Sequence, residues 1–248
     1  MILAIDAGNS RVKWGWYQRD GGQDGRGGWS SIATVSLIEF AASSDHVNPF
    51  SATHADPERI IISNVAGEGA HQLLVNWTSI FEAEPHWLKG GARTCGVSNG
   101  YERPEQLGPD RWAALVAARA LEPGRDCLVV NAGTATTVDA LSREGEFLGG
   151  LIVPGVDLMR FVLHEHTGRL PLQSGNFVRT PRNTVDAIET GCRHAQAGAV
   201  ERMHRVLGGN GACVVSGGGG HALIERLDLP CRYVENLVLD GLARIAIE

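Results

Sequence analysis

Short apolar runs that end in glycine-bearing turns alternate along this chain with longer stretches whose apolar residues recur at helical spacing. Residues 2–6 are apolar up to a closing acid, Asp6, which predicts a buried strand. After Ala7-Gly8-Asn9-Ser10, a tight turn, Val12, Trp14 and Trp16 alternate and predict a second strand with one buried side. The glycine-rich stretch 18–28 reads as a hairpin loop that binds nothing specific. Ile60, Ile61 and Ile62 lead into Ser63-Asn64-Val65-Ala66-Gly67, and 69–79 fits a helix. From Asp110 onward Trp112, Leu115, Val116 and Arg119 keep helical spacing until Pro123-Gly124 stops it. Residues 127–131, 135–141, 147–153, 212–216 and 231–234 read as strands, and 157–165, 183–207, 221–227 and 237–247 as helices. The 157–165 helix is expected to pack through Leu158, Phe161 and Val162. In the long helix, Val185, Ile188, Cys192, Ala195, Ala199 and Met203 form one apolar face.

The pattern repeats. The run from Ile2 to Ser10 aligns with Cys127 to Ala135 as strand, acid or amide, Ala-Gly, then a small hydroxyl-bearing turn, about half a chain length apart. Two similar α/β halves follow, not a solenoid of many short units. Residues 89–109 are turn-rich without sustained periodicity and serve as the expected crossing, which divides the chain into 1–109 and 110–248.

At 248 residues, with 43% hydrophobic and 20% charged positions, the chain has the composition of a folded protein with a sizeable core. A net charge of -6 argues against nucleic acid or an anionic membrane surface as partner. Cys95, Cys127, Cys192, Cys213 and Cys231 form no CxxC pair, and an odd set fits reduced thiols in a cytoplasm. Neither a basic leader nor an apolar run near the ~20 residues of a membrane span is expected. The 32 glycines stand out because they gather beside apolar strands, where bare backbone can approach a ligand.

Paired glycine turns at the ends of strands suit a polyphosphate held between two halves, through backbone N–H groups and hydroxyls. Asp6 can hold a divalent ion, Arg11 and Lys13 can meet phosphate from the return strand, and Asp139 follows the second turn in similar register. A third turn, Ser216 to Gly220, can accept a flat nucleoside. No GxxxxGK[ST], strand-following GxGxxG, HExxH or GxSxG stretch is present, which excludes the P-loop and leaves zinc-protease and serine-hydrolase chemistry unsupported. Gly108-Pro109 opens a helix with Asp110 in its first turn and Arg111 beside it, a place for an anionic acceptor. An aspartate of ordinary pKa, near 3.9, suffices as proton acceptor in phosphoryl transfer, because the alcohol becomes acidic only as the O–P bond forms.

These segments resemble the type III pantothenate kinases of the actin-like, sugar-kinase and Hsp70 ATPase superfamily. The resemblance rests on Asp6 through Lys13, Asn64 through Gly67, Tyr101 through Arg111, Gly133 through Asp139, Asn183-Thr184 and the closing run from Leu237 to Ala246, in family order and nearly end to end. It implies duplicated ribonuclease-H-like domains with mixed sheets flanked by helices around a cleft, and ATP-dependent phosphorylation of pantothenate, the entry step of coenzyme A synthesis. It further implies a homodimer that completes the acceptor pocket, with ATP, Mg2+ and a monovalent cation, K+ or NH4+, as cofactors. Carried onto this chain, Asp6, Ala7, Gly8, Asn9, Ser10, Arg11, Val12, Lys13 and Thr134 contact ATP and Asp110 accepts the proton. Tyr101, Gly108, Pro109, Arg111 and Thr184 join Asp110 at pantothenate. Asn131 stands where the family usually has an aspartate that helps hold potassium, and a neutral amide holds the ion more weakly. Ser10 replaces a common threonine and keeps the hydroxyl. The alternatives are a related small-molecule kinase or phosphatase of the same fold, and a non-catalytic accessory factor in transcriptional regulation.

Overall fold

A computed structural model describes residues 1–20, 27–42 and 56–248, and Gly21, Gly22 and Gly25 of the expected hairpin loop lie outside them. Two compact units emerge, one made of Met1–Ala120 with Leu237–Glu248 and the other of Leu121–Asn236.

In the first unit, β1 (Ile2–Ala7) pairs antiparallel with β2 (Arg11–Gln18), which pairs in turn with β3 (Gly28–Ser36). Helix α1 (Leu37–Ala42) follows, and β4 (Arg59–Asn64) then runs parallel to β1. After α2 (Glu68–Thr78), β5 (Pro85–Trp87) lies parallel to β4, giving the order β3-β2-β1-β4-β5. Leu3, Ile5, Val12, Trp14, Trp16, Ile60 and Ile62 bury the alternate positions of these strands with Phe40, Leu74 and Trp77 of the helices. The turn-rich segment 89–109 carries the short antiparallel strands β6 (Arg93–Thr94) and β7 (Val97–Asn99) before α3 (Pro109–Leu121).

The second unit rebuilds that plan. β8 (Cys127–Ala132), β9 (Ala135–Leu141) and β10 (Glu146–Pro154) form an antiparallel meander. Helices α4 (Val156–Glu165) and α5 (Thr184–Val206) follow, then β11 (Ala212–Ser216), parallel to β8. After α6 (Gly220–Ile224), β12 (Arg232–Tyr233) adds on parallel to β11. The five strands of this unit run β10-β9-β8-β11-β12 within a seven-stranded sheet, and that order matches β3-β2-β1-β4-β5. Even the burial sequence agrees, since β1 and β8 are both buried at every position except the fifth, Asp6 in one and Asn131 in the other. Helix α7 (Leu237–Ile247) closes the chain.

The division differs from the one expected at 109/110. Helix α3 belongs with the first unit, and α7 returns to it, packing on β1, β2 and β4. Its Gly241 makes this possible: a Cβ there would lie 1.9 Å from the Ala113 carbonyl of α3. Two packing expectations hold only in part. Leu158, Phe161 and Val162 of α4 are exposed, and of the expected α5 face Cys192 is buried and Met203 packs on the core with Ala197 and Val200, while Ala195 is exposed. The buried side of α5 also carries Glu189, Gln196 and His204, each of them partnered: Glu189 by two arginines, Gln196 by Thr136 at 2.7 Å, and His204 by the Gly211 carbonyl at 2.9 Å. Among the described residues no helix is long and apolar enough to cross a membrane.

Candidate active site

Strand pairing brings Asp6 of β1 beside Lys13 of β2 and Ser63 of β4, because cross-strand partners share a face. Asp6 Oδ1 and Ser63 Oγ are both buried and complete no hydrogen bond among the described residues. Burial pushes the Asp6 carboxyl up to about 7, with the Asp110 carboxylate pushing the same way, while the Ser63 hydroxyl and the Lys13 ammonium offset part of the rise. Beyond β1 the chain turns tightly, with Gly8 N–H donating to the Arg11 carbonyl at 2.9 Å and Leu37 N–H to the Ser10 carbonyl. Asn9, Ser10 and Arg11 are exposed at the tip, whereas Ala7 and Val12 bury their side chains in the core and offer a ligand only backbone.

Asp110 lies in the first turn of α3, where the helix N-terminus favours a carboxylate. Burial raises its pKa against the opposing pull of Arg111 and its backbone N–H. Gly108 leaves the room it needs, since a Cβ on that residue would stand 2.6 Å from Asp110 Oδ1. Arg111 is buried, and its Nη1 donates to the Tyr101 hydroxyl at 3.1 Å. The loop that presents Tyr101 is shaped by Asn99, whose amide donates to the Gly91 and Pro104 carbonyls while its oxygen accepts from Tyr101 N–H at 3.0 Å. Asp6, Lys13, Tyr101, Gly108, Pro109, Asp110 and Arg111 all belong to the first unit.

The second unit presents the matching turn. Gly133 N–H donates to the Ala135 carbonyl at 3.0 Å, and Gly133, Thr134 and Ala135 are exposed. Gly155 backs this turn, its N–H on the Thr134 carbonyl, so closely that a Cβ would meet the Gly133 carbonyl at 2.2 Å. Asn131 faces Thr137 and Ser216 across the strands, as Asp6 faces Lys13 and Ser63. At Gly217, φ is +91°, and a Cβ would come within 2.6 Å of Asn131 Oδ1, so the third glycine turn needs a residue without a side chain. Asp139 is buried in the sheet opposite Val129. Thr184 is elsewhere in the unit, exposed at the first position of α5 after the Asn183 cap, lining an apolar groove with Val162, Leu163, Ile188 and Cys192.

Ser63, Asn99 and Asp240 take part in this architecture without a sequence signal of their own. Asp240, in the first turn of α7, accepts from Trp29 Nε1 at 2.8 Å. Burial raises its pKa, offset in part by Trp29, Arg244 and Lys13. Among the described residues no three His, Cys, Asp or Glu side chains gather as a ready-made metal cage. A magnesium ion carried by a nucleotide needs only one or two carboxylates beside phosphate and water, and the unpartnered Asp6 Oδ1 fits that requirement.

Comparison with known proteins agrees with this architecture. The sequence model of the family "Type III pantothenate kinase" matches residues 2–206. A type III pantothenate kinase of Aromatoleum aromaticum is 46% identical over 250 residues, covering 100% of this chain and 98% of the relative. Among solved structures, a Sinorhizobium meliloti protein described as a 2-dehydro-3-deoxygalactonokinase superposes with a TM-score of 0.63 at 16% identity, over 99% of this chain and 98% of the other. A Campylobacter jejuni protein described as a Baf family transcriptional activator gives 0.61 at 20% identity, over 99% and 97%. These two structural likenesses bear on fold alone, the duplicated actin-like ATPase architecture. With the family model spanning most of the chain and a relative at 46% identity along its full length, the chain belongs to the type III pantothenate kinases, and its reaction is the ATP- and Mg2+-dependent phosphorylation of pantothenate.

Proposed function

We propose that Asp110 accepts the proton of the pantothenate hydroxyl as that oxygen bonds to the transferred phosphoryl group. The observation that carries this reading is the carboxylate itself: half-buried, seated over Gly108 at a helix start, and acting electrostatically on Asp6. Its raised pKa makes it a better base than a solvated aspartate while Arg111 keeps it from rising further. Arg111 and Tyr101 form one hydrogen-bonded unit suited to the carboxylate and polar groups of pantothenate. The exposed tip Asn9, Ser10 and Arg11, with Lys13 behind it, supplies donors and positive charge for ATP phosphates, and Thr134 supplies a hydroxyl from the second turn. Asp6 Oδ1 would hold magnesium, which when bound neutralises phosphate charge. Gly217 to Gly220 accepts the nucleoside, and Thr184 reaches the acceptor. Asp110→Asn tests the assignment: pantothenate-dependent ADP release should fall by about 100-fold or more, with folding and ATP binding retained. Unchanged turnover would remove the role.

Asn131 bears on the monovalent cation. It occupies in β8 the position of Asp6 in β1, but its oxygen carries no full charge, so potassium dependence should be weak or met by another ligand. Turnover titrated with K+, against Na+ as control, should saturate at lower K+ in Asn131→Asp than in the native chain. Equally tight saturation in both would sink this reading.

The enzyme is further proposed to work as a cytoplasmic homodimer. Ile152, at 62% exposure, and Phe161, at 47%, belong to an apolar surface of β10 and α4 next to the groove lined by Thr184, which suits a second copy completing the acceptor pocket. All five cysteines are free thiols, in keeping with a reducing compartment.

A further inference from the structure

The Lys13 side chain has a surrounding that the proposed phosphate contact does not explain. Alternate residues of a strand share a face, so Lys13 and Gly15 of β2 lie on one side, with Asp6 of β1 opposite Lys13 on that same side. Trp29 of β3 covers Gly15, where a Cβ would come within 2.7 Å of the indole ring. From there Trp29 Nε1 reaches Asp240 Oδ1 at 2.8 Å. Helix α7 holds Asp240 in place because it packs on β1 and β2 and, through Gly241, against α3. Burial raises the pKa of Asp6 and of Asp240, and the Lys13 ammonium offsets part of the rise in both, with Arg244 acting on Asp240 as well.

We propose that Asp240, tethered by the Trp29 indole, is a positioning residue that restrains the Lys13 ammonium at the phosphate turn, with Asp6 as the second restraint. This rests on the reading of Lys13 as a phosphate contact. A lysine ammonium is a point charge on a flexible four-carbon stem, and without restraint it loses its rotamers only when phosphate arrives. Two neighbouring carboxylates restrict that freedom beforehand and leave a donor for a third anion. Trp29 in turn fixes one Asp240 oxygen through its indole N–H.

Steady-state kinetics of the full chain test the inference through separate KM values for ATP and pantothenate. Asp240→Asn and Trp29→Phe should each raise KM for ATP about 5–10-fold, with kcat and KM for pantothenate within about twofold. In a Lys13→Met background Asp240→Asn should change KM for ATP no further, because residues acting through one another do not add. Should Asp240→Asn unfold the protein, Trp29→Phe in the native and Lys13→Met backgrounds decides the matter in the same way. Equal fold-changes in both backgrounds would overturn the inference while leaving Lys13 as a phosphate contact. A fall in KM for ATP in Asp240→Asn would also overturn it, since the carboxylate would then only repel phosphate. If Lys13→Met leaves KM for ATP unchanged, the phosphate contact itself is wrong and the inference goes with it.

Discussion

At the scale of single residues, the site depends on small side chains as much as on charged ones. Gly108 is the clearest case, because the Asp110 carboxylate takes the space a Cβ would occupy. Gly108→Ala should therefore displace that carboxylate and lower kcat by about 10–100-fold while KM for ATP stays within about twofold, since an error near 1 Å in a reacting group costs rate more than binding. Steady-state kinetics with both substrates check this, and a fully active variant would contradict it. The placement of Asp6 and Lys13 on paired strands and of Asp110 and Arg111 at a helix start was legible in the sequence, because strand alternation and the Gly108-Pro109 helix opening are local signals. Ser63, Trp29 and Asp240 were not, because each becomes relevant only through a neighbour more than forty residues away, as the span from Trp29 to Asp240 illustrates.

At the scale of elements, α5 separates what periodicity reveals from what it hides. The apolar spacing of Val185, Ile188, Cys192 and Ala195 correctly predicts a long helix, yet Ile188 and Ala195 line the open groove, and the buried side carries Glu189 between Arg160 at 2.7 Å and Arg193 at 2.6 Å. Polar burial of this kind is tolerated because every charge has a partner, and hydrophobic patterning is blind to it. Burial alone would raise the Glu189 pKa, but the two guanidinium groups hold it below its ordinary 4.5. Its stabilising contribution is thus fully present above pH 4.5 and is lost as pH falls through the lower, folded-state value. Urea midpoints measured from pH 6 down to about 3 should fall less steeply in Glu189→Gln than in the native protein, as the substitution removes this titration. Parallel slopes would show that Glu189 is not linked to folding.

At the scale of the whole molecule, the exposed apolar residues of β10 and α4 call for cover. Leu158, Phe161 and Val162 look like core positions in sequence and are core-like in chemistry, but the described residues leave them exposed. Phe161→Glu or Ile152→Glu should leave the fold of each unit intact, convert a dimer into a monomer by light scattering, and reduce turnover with pantothenate. A native protein that elutes as a fully active monomer would refute the assembly. The sequence by itself determined the duplicated strand-turn-strand plan, the helices and the places of Asp6 at a strand end and Asp110 at a helix start, because local periodicity and turn composition act over a few residues. Only the tertiary structure decided that α3 and α7 join the first unit and that Asp240 lies under Trp29. It alone also set Ile188 and Ala195 of α5 along the groove and buried Glu189 and Gln196 beside Ala197 and Val200. These outcomes depend on close approaches, such as Gly241 against Ala113, and on paired buried charges, whose partners are distant in the chain and leave no trace in local patterning.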